Sequence, residues 1–391
     1  MATTPLHFAE RMSRLGTESA FDVMVRARAL EAQGRDIIHL QLGEPDFDTP
    51  AHIIEAGIEA LRNGETHYTP PAGIPPLREA IANEVSQTRG VTIEPDQVVV
   101  TPGGKPIMFF LILALAGPGD EVIYPDTGFP IYGSVVNFSG ATPMPLALRE
   151  ENDFRFDLDE LRALISDRTR LVIINSPANP TGGVLTDEEI SELARLAVEH
   201  DFVVMSDEIY RKIIYGDFEQ PSIISYPGMQ ERTVILDGFS KTYAMTGWRL
   251  GFGVMPRDLA LQVTRLAINC NSCTPGFTQL AGVAALTGPQ EPVAQMVAEF
   301  QRRRDAIVAG LNDIPGITCQ LPLGAFYVFP NVSHYGDNIA DYLLNEAGVA
   351  MVDGASFGAQ GKGYLRISYA NSLENIEKAL ERMREALVKM G

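Results

Sequence analysis

From Val98 to about Asn269 the chain alternates short apolar runs with stretches of helical period. Val98-Val99-Val100, Leu171-Val172-Ile173-Ile174, Phe202-Val203-Val204-Met205 and Val234-Ile235-Leu236 are apolar at every position. They lack the in–out alternation of a half-exposed strand, so they read as strands buried on both faces. With helices between them, the pattern predicts an α/β fold: a mostly parallel mixed sheet with helices on both faces. In such sheets ligands gather at the carboxyl ends of the strands. Three loops at those ends carry polar candidates: Asn179 after the second run, Asp207 after the third, Lys241 after the fourth.

A length of 391 residues predicts about two domains. The pattern changes near Gly288-Pro289 and Pro292, where a smaller α+β unit begins with a long helix to about Asn312. The expected division is an N-terminal arm over 1–20, a segment over 21–48 joining the small domain, a large domain over 49–288 and a small C-terminal domain over 289–391. Arg302-Arg303-Arg304 on the long helix is expected to be a solvated face. Asn371, with Glu374 three residues on, predicts a capping box for the last helix.

Composition narrows the function. The chain has 31 basic and 50 acidic residues, a net charge of −19, which opposes a nucleic-acid surface. The apolar run Ile107–Ala116 is about half the length a bilayer crossing needs and reads as a buried helix. Met1-Ala2-Thr3-Thr4-Pro5 shows no basic region leading into an apolar core, so a cytoplasmic protein is expected. The three cysteines do not make a disulfide framework. Cys270-x-x-Cys273 has no second pair and the six histidines are scattered, so no metal is expected.

The stretch Leu236-Asp237-Gly238-Phe239-Ser240-Lys241-Thr242-Tyr243-Ala244-Met245-Thr246-Gly247-Trp248-Arg249 holds a lysine between an apolar run and a Gly-Trp-Arg turn. A lysine condenses with aldehydes, and a nearby arginine suits a phosphate on the same molecule. Pro102-Gly103-Gly104-Lys105-Pro106 opens a helix, and free N–H groups there favour an anion. Each feature alone also fits a surface lysine, a strand-edge arginine and a plain tight turn. Gly354-Ala355-Ser356-Phe357-Gly358 matches G-x-S-x-G, but Gly361, Gly363 and a strand follow instead of a helix, against a hydrolase nucleophile. No dinucleotide fingerprint follows a strand and no Walker A sequence is present.

Seven strings stand in one order along nearly the whole chain: GEPDFDTP, HYTPPAGIPPLREAI, VTPGGK, NSPANPTGG, SDEIY, DGFSKTYAMTGWRLG and YLRISYA. In these the chain resembles the class I/II aminotransferases, fold type I pyridoxal 5′-phosphate enzymes, and within them the bacterial aspartate/aromatic-like branch. The resemblance implies roles. Lys241 would hold the cofactor and then carry protons. Asp207 would pair with the pyridine nitrogen. Asn179 and Tyr210 would hydrogen-bond the ring oxygen, and Phe129 would stack on the ring. Gly103, Gly104, Lys105, Ser240 and Arg249 would cradle the phosphate, and Tyr68 would reach the phosphate bound by a partner subunit. Arg366 would clamp the substrate carboxylate. Asn179 would also meet substrate, and Gly43 would let backbone approach it.

It further implies a homodimer with shared active sites and an amino acid:2-oxo acid transamination by a ping-pong mechanism. The same cofactor also serves C–S β-lyases and decarboxylases. A non-enzymatic sensor, the use made of such domains in transcription regulators, is opposed by the acidic charge and by a first helix that begins at about residue 20. In one respect the pattern departs from its relatives. A phosphate-binding serine often stands three positions before the lysine, where this chain has Gly238. No Arg or Lys is assigned to a substrate side chain, so neither donor nor acceptor is named.

Overall fold

The structure is a computed structural model and describes residues 6–218 and 220–390. Residues 1–5 of the expected arm lie outside the described residues. Eight strands form one sheet in the order Val98–Thr101, Gly251–Val254, Thr233–Gly238, Val203–Asp207, Thr169–Asn175, Glu121–Asp126, Thr142–Arg149, Arg155–Phe156. The block from Thr233–Gly238 to Thr142–Arg149 is parallel throughout. Gly251–Val254 runs antiparallel to both its neighbours, and Arg155–Phe156 closes the far edge antiparallel. The mixed, mostly parallel sheet is the one the apolar runs predict.

Helices cover both faces because the strands have no polar face to leave in water. Ile107 and Leu111 of the helix Lys105–Leu115 pack with Val135 of Ile131–Ser139 and Val263 of Arg257–Asn271 on one side. Leu77 and Ile81 of Pro75–Arg89, and Leu193 of Asp187–His200, belong to cores on the other strand residues. Each fully buried Leu or Ile contributes about 2 kcal/mol.

The helix Gly276–Thr287 has no counterpart in the sequence reading. Its small residues blur any apolar stripe, and they serve close packing: a Cβ on Gly282 would meet Leu250 Cδ2 at 2.5 Å.

A second core gathers Phe300, Phe326, Tyr369 and Met383 with Ile38 and Leu40 from far upstream. Strand Ile38–His39 pairs in parallel with Val349–Ala350, and a three-stranded antiparallel sheet lies beside it.

Two expectations need correction. Arg302 is exposed, but Arg303 and Arg304 are each 6% exposed, so the arginine run is not one solvated face. The cap of the last helix Leu373–Val388 is Ser372, whose Oγ accepts from Asn375 N–H, not Asn371. Among the described residues no helix is long and apolar enough to cross a membrane, and no cluster of three metal-ligating side chains occurs.

Candidate active site

Neighbouring strands end side by side, so their next residues meet. Asp207 closes Val203–Asp207, Asn175 closes Thr169–Asn175, and Lys241 lies three residues beyond Thr233–Gly238. Gly251–Val254 runs the other way, which brings Arg249 to the same edge. Together they line a cavity of about 640 Å³ that also receives Arg366 from the smaller unit.

Asp207 is 7% exposed and lies against the cavity wall. Its Oδ2 accepts from the Tyr132 hydroxyl at 2.6 Å and its Oδ1 from Ile209 N–H at 3.2 Å. Burial raises its pKa to about 6, against these bonds, and the neighbouring Glu208 adds a smaller upward push. Asn175 Nδ2 donates to the Asp207 carbonyl at 3.0 Å, and its Oδ1 accepts from Asn179 N–H at 2.8 Å. Strand alternation turns Glu208 the other way, onto Arg89 at 2.8 Å and Ser222 at 2.6 Å. That buried ion pair anchors the strand end from behind.

Lys241 is half-buried and donates from Nζ to the Gly43 carbonyl. Removal from bulk water, more than any charge, brings its pKa down from 10.5 to about 8; Glu44 pulls the other way. Gly43 sits close to another side chain too: a Cβ there would fall 2.0 Å from the Tyr327 hydroxyl.

Arg249 takes a left-handed backbone at φ 53°. Its guanidinium donates to the Thr246 carbonyl at 3.0 Å and the Pro102 carbonyl at 3.5 Å, and among the described residues no carboxylate pairs with it. Gly103, at φ +86°, passes so near that a Cβ would meet Arg249 Nη2 at 2.3 Å. Gly104 caps the helix Lys105–Leu115, and this helix start lines the cavity at Gly104 and Lys105. A cation without an anion therefore stands beside a helix start. Ser240 lines the same region. At Gly238 a Cβ would stand 3.1 Å from Gly251 Cα and 3.2 Å from Ile209 Cδ1, so a serine there needs its neighbours to give by a few tenths of an ångström.

Lys105 lines the cavity, but its Nζ pairs with Glu18 and lies 5.4 Å from the Phe129 ring centre. Phe129 faces the cavity and packs edge-on to Tyr132 at 5.6 Å. Arg366, 5% exposed, is sandwiched between Tyr327 at 4.8 Å and Phe357 at 4.9 Å. It donates to Asn179 Oδ1 at 3.3 Å and to the Gln41 carbonyl, and its buried Nε has no partner. The Tyr210 hydroxyl lies 2.8 Å from that of Tyr327.

Tyr68 stands apart. It is 91% exposed and does not line this cavity. Tyr132, Asn175 and Tyr327 were missed in the sequence. Asn175 stood in the same polar loop as Asn179, and Tyr132 lies one helical turn from Phe129; Tyr327 left no local signal. The cavity mouth is lined by Glu18, Phe21, Met24 and Arg28, from or beside the helix Ser19–Glu31, a segment that drew no functional expectation. Ser356 lies in the short 3₁₀ turn Gly354–Phe357, and only a second 3₁₀ turn, Ala359–Gly361, and the strand Leu365–Ser368 follow it, not the α-helix of a hydrolase elbow.

The model of the family "Aminotransferase class I and II" matches residues 35–383. An aspartate aminotransferase of Geobacillus stearothermophilus is 40% identical over 387 residues, 97% of this chain and 98% of that one. An aromatic-amino-acid aminotransferase of Thermococcus litoralis is 40% identical over 363 residues, covering 91% of this chain and 93% of that one. The solved structure of aspartate aminotransferase from Thermus thermophilus with maleate superposes with a TM-score of 0.92 at 38% identity, over 98% of this chain and 100% of that chain.

Proposed function

The chain belongs to the class I and II aminotransferase family, and from that premise we propose that its cavity takes one pyridoxal 5′-phosphate and one amino acid between Lys241, Asp207 and Arg366. Its reaction class is the transfer of an amino group from an amino acid to a 2-oxo acid. The observation that carries the site assignment is the meeting, in one cavity, of a low-pKa amine, a buried carboxylate and an arginine with a free Nε.

The residues fit the cofactor. Arg249 offers a cation without a carboxylate partner, at a helix start where only glycine clears it, which suits a phosphate. Asp207 offers a buried carboxylate for a ring nitrogen, and Asn179 and Tyr210 offer polar groups for a ring oxygen. Bound there, the cofactor supplies an aldehyde carbon open to amines and a ring that accepts electrons.

The chain's own groups do the rest. With a pKa near 8, Lys241 is partly neutral at neutral pH, so its Nζ both attacks a carbonyl carbon and takes a proton. The Gly43 carbonyl holds that Nζ in place. Asp207, above its pKa of about 6 at neutral pH, is an anion in a dry wall, so it favours a protonated ring nitrogen. Arg366 is fixed by two aromatic faces and two hydrogen bonds, leaving Nε for a substrate carboxylate.

Aspartate and aromatic amino acids, named for the relatives, are the donors to try first. The mouth carries both the cations Lys105 and Arg28 and the apolar Phe21 and Met24. We also take residues 21–48 with 289–391 as the smaller domain, because Ile38 and Leu40 share its core. Replacing Lys241 with Ala tests the reading. It is expected to abolish both the cofactor's visible absorbance shift on binding and turnover; undiminished turnover would sink the assignment.

A further inference from the structure

Tyr327 opens the strand Tyr327–Val328 and is 1% exposed, yet it lines the cavity. Three contacts hold it. The Arg366 guanidinium lies 4.8 Å from its ring centre. Its hydroxyl is 2.8 Å from that of Tyr210. The same hydroxyl fills the space a Cβ on residue 43 would need, and the Gly43 carbonyl holds Lys241. One phenol thus touches the Arg366 guanidinium, the loop whose Gly43 carbonyl holds Lys241, and the Tyr210 phenol.

The geometry points to Tyr327 as a positioning residue that donates its hydroxyl proton to Tyr210 and so turns the Tyr210 proton into the cavity, toward the ring oxygen of bound cofactor. This rests on the pyridoxal phosphate reading above.

The direction of the bond follows from the surroundings. Each phenol has one proton, and among the described residues neither hydroxyl has another hydrogen-bond partner. Were Tyr210 the donor, it would show only lone pairs to the cavity, and the Tyr327 proton would face the backbone at Gly43. A cation over a phenol ring draws electrons from it and strengthens its hydroxyl as a donor. Arg366 stacks on Tyr327, not on Tyr210. In a neutral pair the more acidic hydroxyl donates, and the stacked cation acts directly on the Tyr327 ring. A phenol that accepts one hydrogen bond then donates a stronger one.

The test follows the visible absorbance of cofactor-loaded protein against pH. Its midpoint marks the lysine–cofactor linkage losing its proton. Before that loss the linkage N–H would compete for the ring oxygen of a bound cofactor; after it, donors from the protein such as Tyr210 would serve that oxygen alone. A protein donor therefore favours the deprotonated form and lowers the midpoint. Tyr210→Phe is expected to raise the midpoint by about one unit. Tyr327→Phe, which keeps the ring and the Arg366 stack, is expected to raise it by about half a unit. The double variant should move no further than Tyr210→Phe alone, because the second phenol acts only through the first.

A lowered melting temperature with an unmoved midpoint in Tyr327→Phe overturns the proposal in favour of plain packing. So does an equal Tyr327→Phe shift in both backgrounds. An unmoved midpoint in Tyr210→Phe overturns the role of Tyr210 itself, and absorbance unchanged by Lys241→Ala overturns the cofactor reading beneath both.

Discussion

Asp207 works for the site at the expense of the fold. Its carboxyl titrates near pH 3.8 in the ordinary range and near 6 when folded, chiefly because of burial. Between those values the folded chain binds more protons than the unfolded one. Its contribution is thus fully present below about pH 4 and lost as pH rises through about 6. Two units correspond to about 3 kcal/mol. Without cofactor, Asp207→Asn should therefore melt higher than the parent at pH 8, by an amount that vanishes near pH 4. It should also bind pyridoxal phosphate more weakly. Thermal melts of the two cofactor-free proteins at both pH values check this; parallel curves would remove the buried-charge explanation. Asp207, Lys241 and Asn179 were legible because each follows an apolar strand, and strand ends converge whatever the tertiary detail. Tyr132 and Tyr327 were not, because a buried tyrosine in a local pattern looks like core. Only folding gives the hydroxyl of Tyr132 to Asp207 and that of Tyr327 to Tyr210.

At the scale of the element, the helix Glu291–Asn312 shows where a one-dimensional reading misled. Successive helical residues turn by about 100°, so three in a row sweep too wide an arc to share one solvated face. Arg302 is the outward one, paired among the described residues with Glu299 on its own helix. Arg303 reaches Asp46 at 2.6 Å and lies against the Phe47 and Phe300 rings. Arg304 covers Tyr215 at 4.7 Å and donates to the Pro322 carbonyl. These two tie the long helix to other segments and were hidden because their partners are distant in sequence. Urea unfolding should separate the classes. Arg302→Ala is expected to leave the unfolding midpoint of the parent essentially unmoved. Arg303→Ala strips a buried stack and leaves Asp46 without its partner, for a loss of about 2–3 kcal/mol. Equal losses would restore the solvated-face reading. The helix Gly276–Thr287 was missed for the opposite reason: the glycine that lets it sit against Leu250 also weakens the helical signal.

At the scale of the molecule, one chain supplies a cavity with amine, carboxylate and arginine, yet leaves Tyr68 outside it, 91% exposed on the loop 66–74. That loop is not loose. Gln279, fully buried, accepts from Ile74 N–H at 2.8 Å and donates to Thr69 Oγ1 at 3.1 Å. A large aromatic held outward on a pinned loop, without a place in its own cavity, fits a residue made for another subunit. Sequence could supply this only through resemblance, since spacing within one chain carries no trace of a second. If two copies share their sites, damaged copies should repair one another. Lys241→Ala has no amine but presents an intact Tyr68; Tyr68→Ala keeps its amine and lacks the crossing phenol. After subunits of the two variants reassort freely, each mixed dimer has one site built from Lys241 of one copy and Tyr68 of the other. Random pairing makes half the dimers mixed, so about a quarter of all sites should be whole. Turnover of the mixture should climb, as subunits exchange, above the sum of the separate variants toward that fraction of the parent. Turnover fixed at the sum, with light scattering confirming that mixed dimers had formed, would confine each site to one chain.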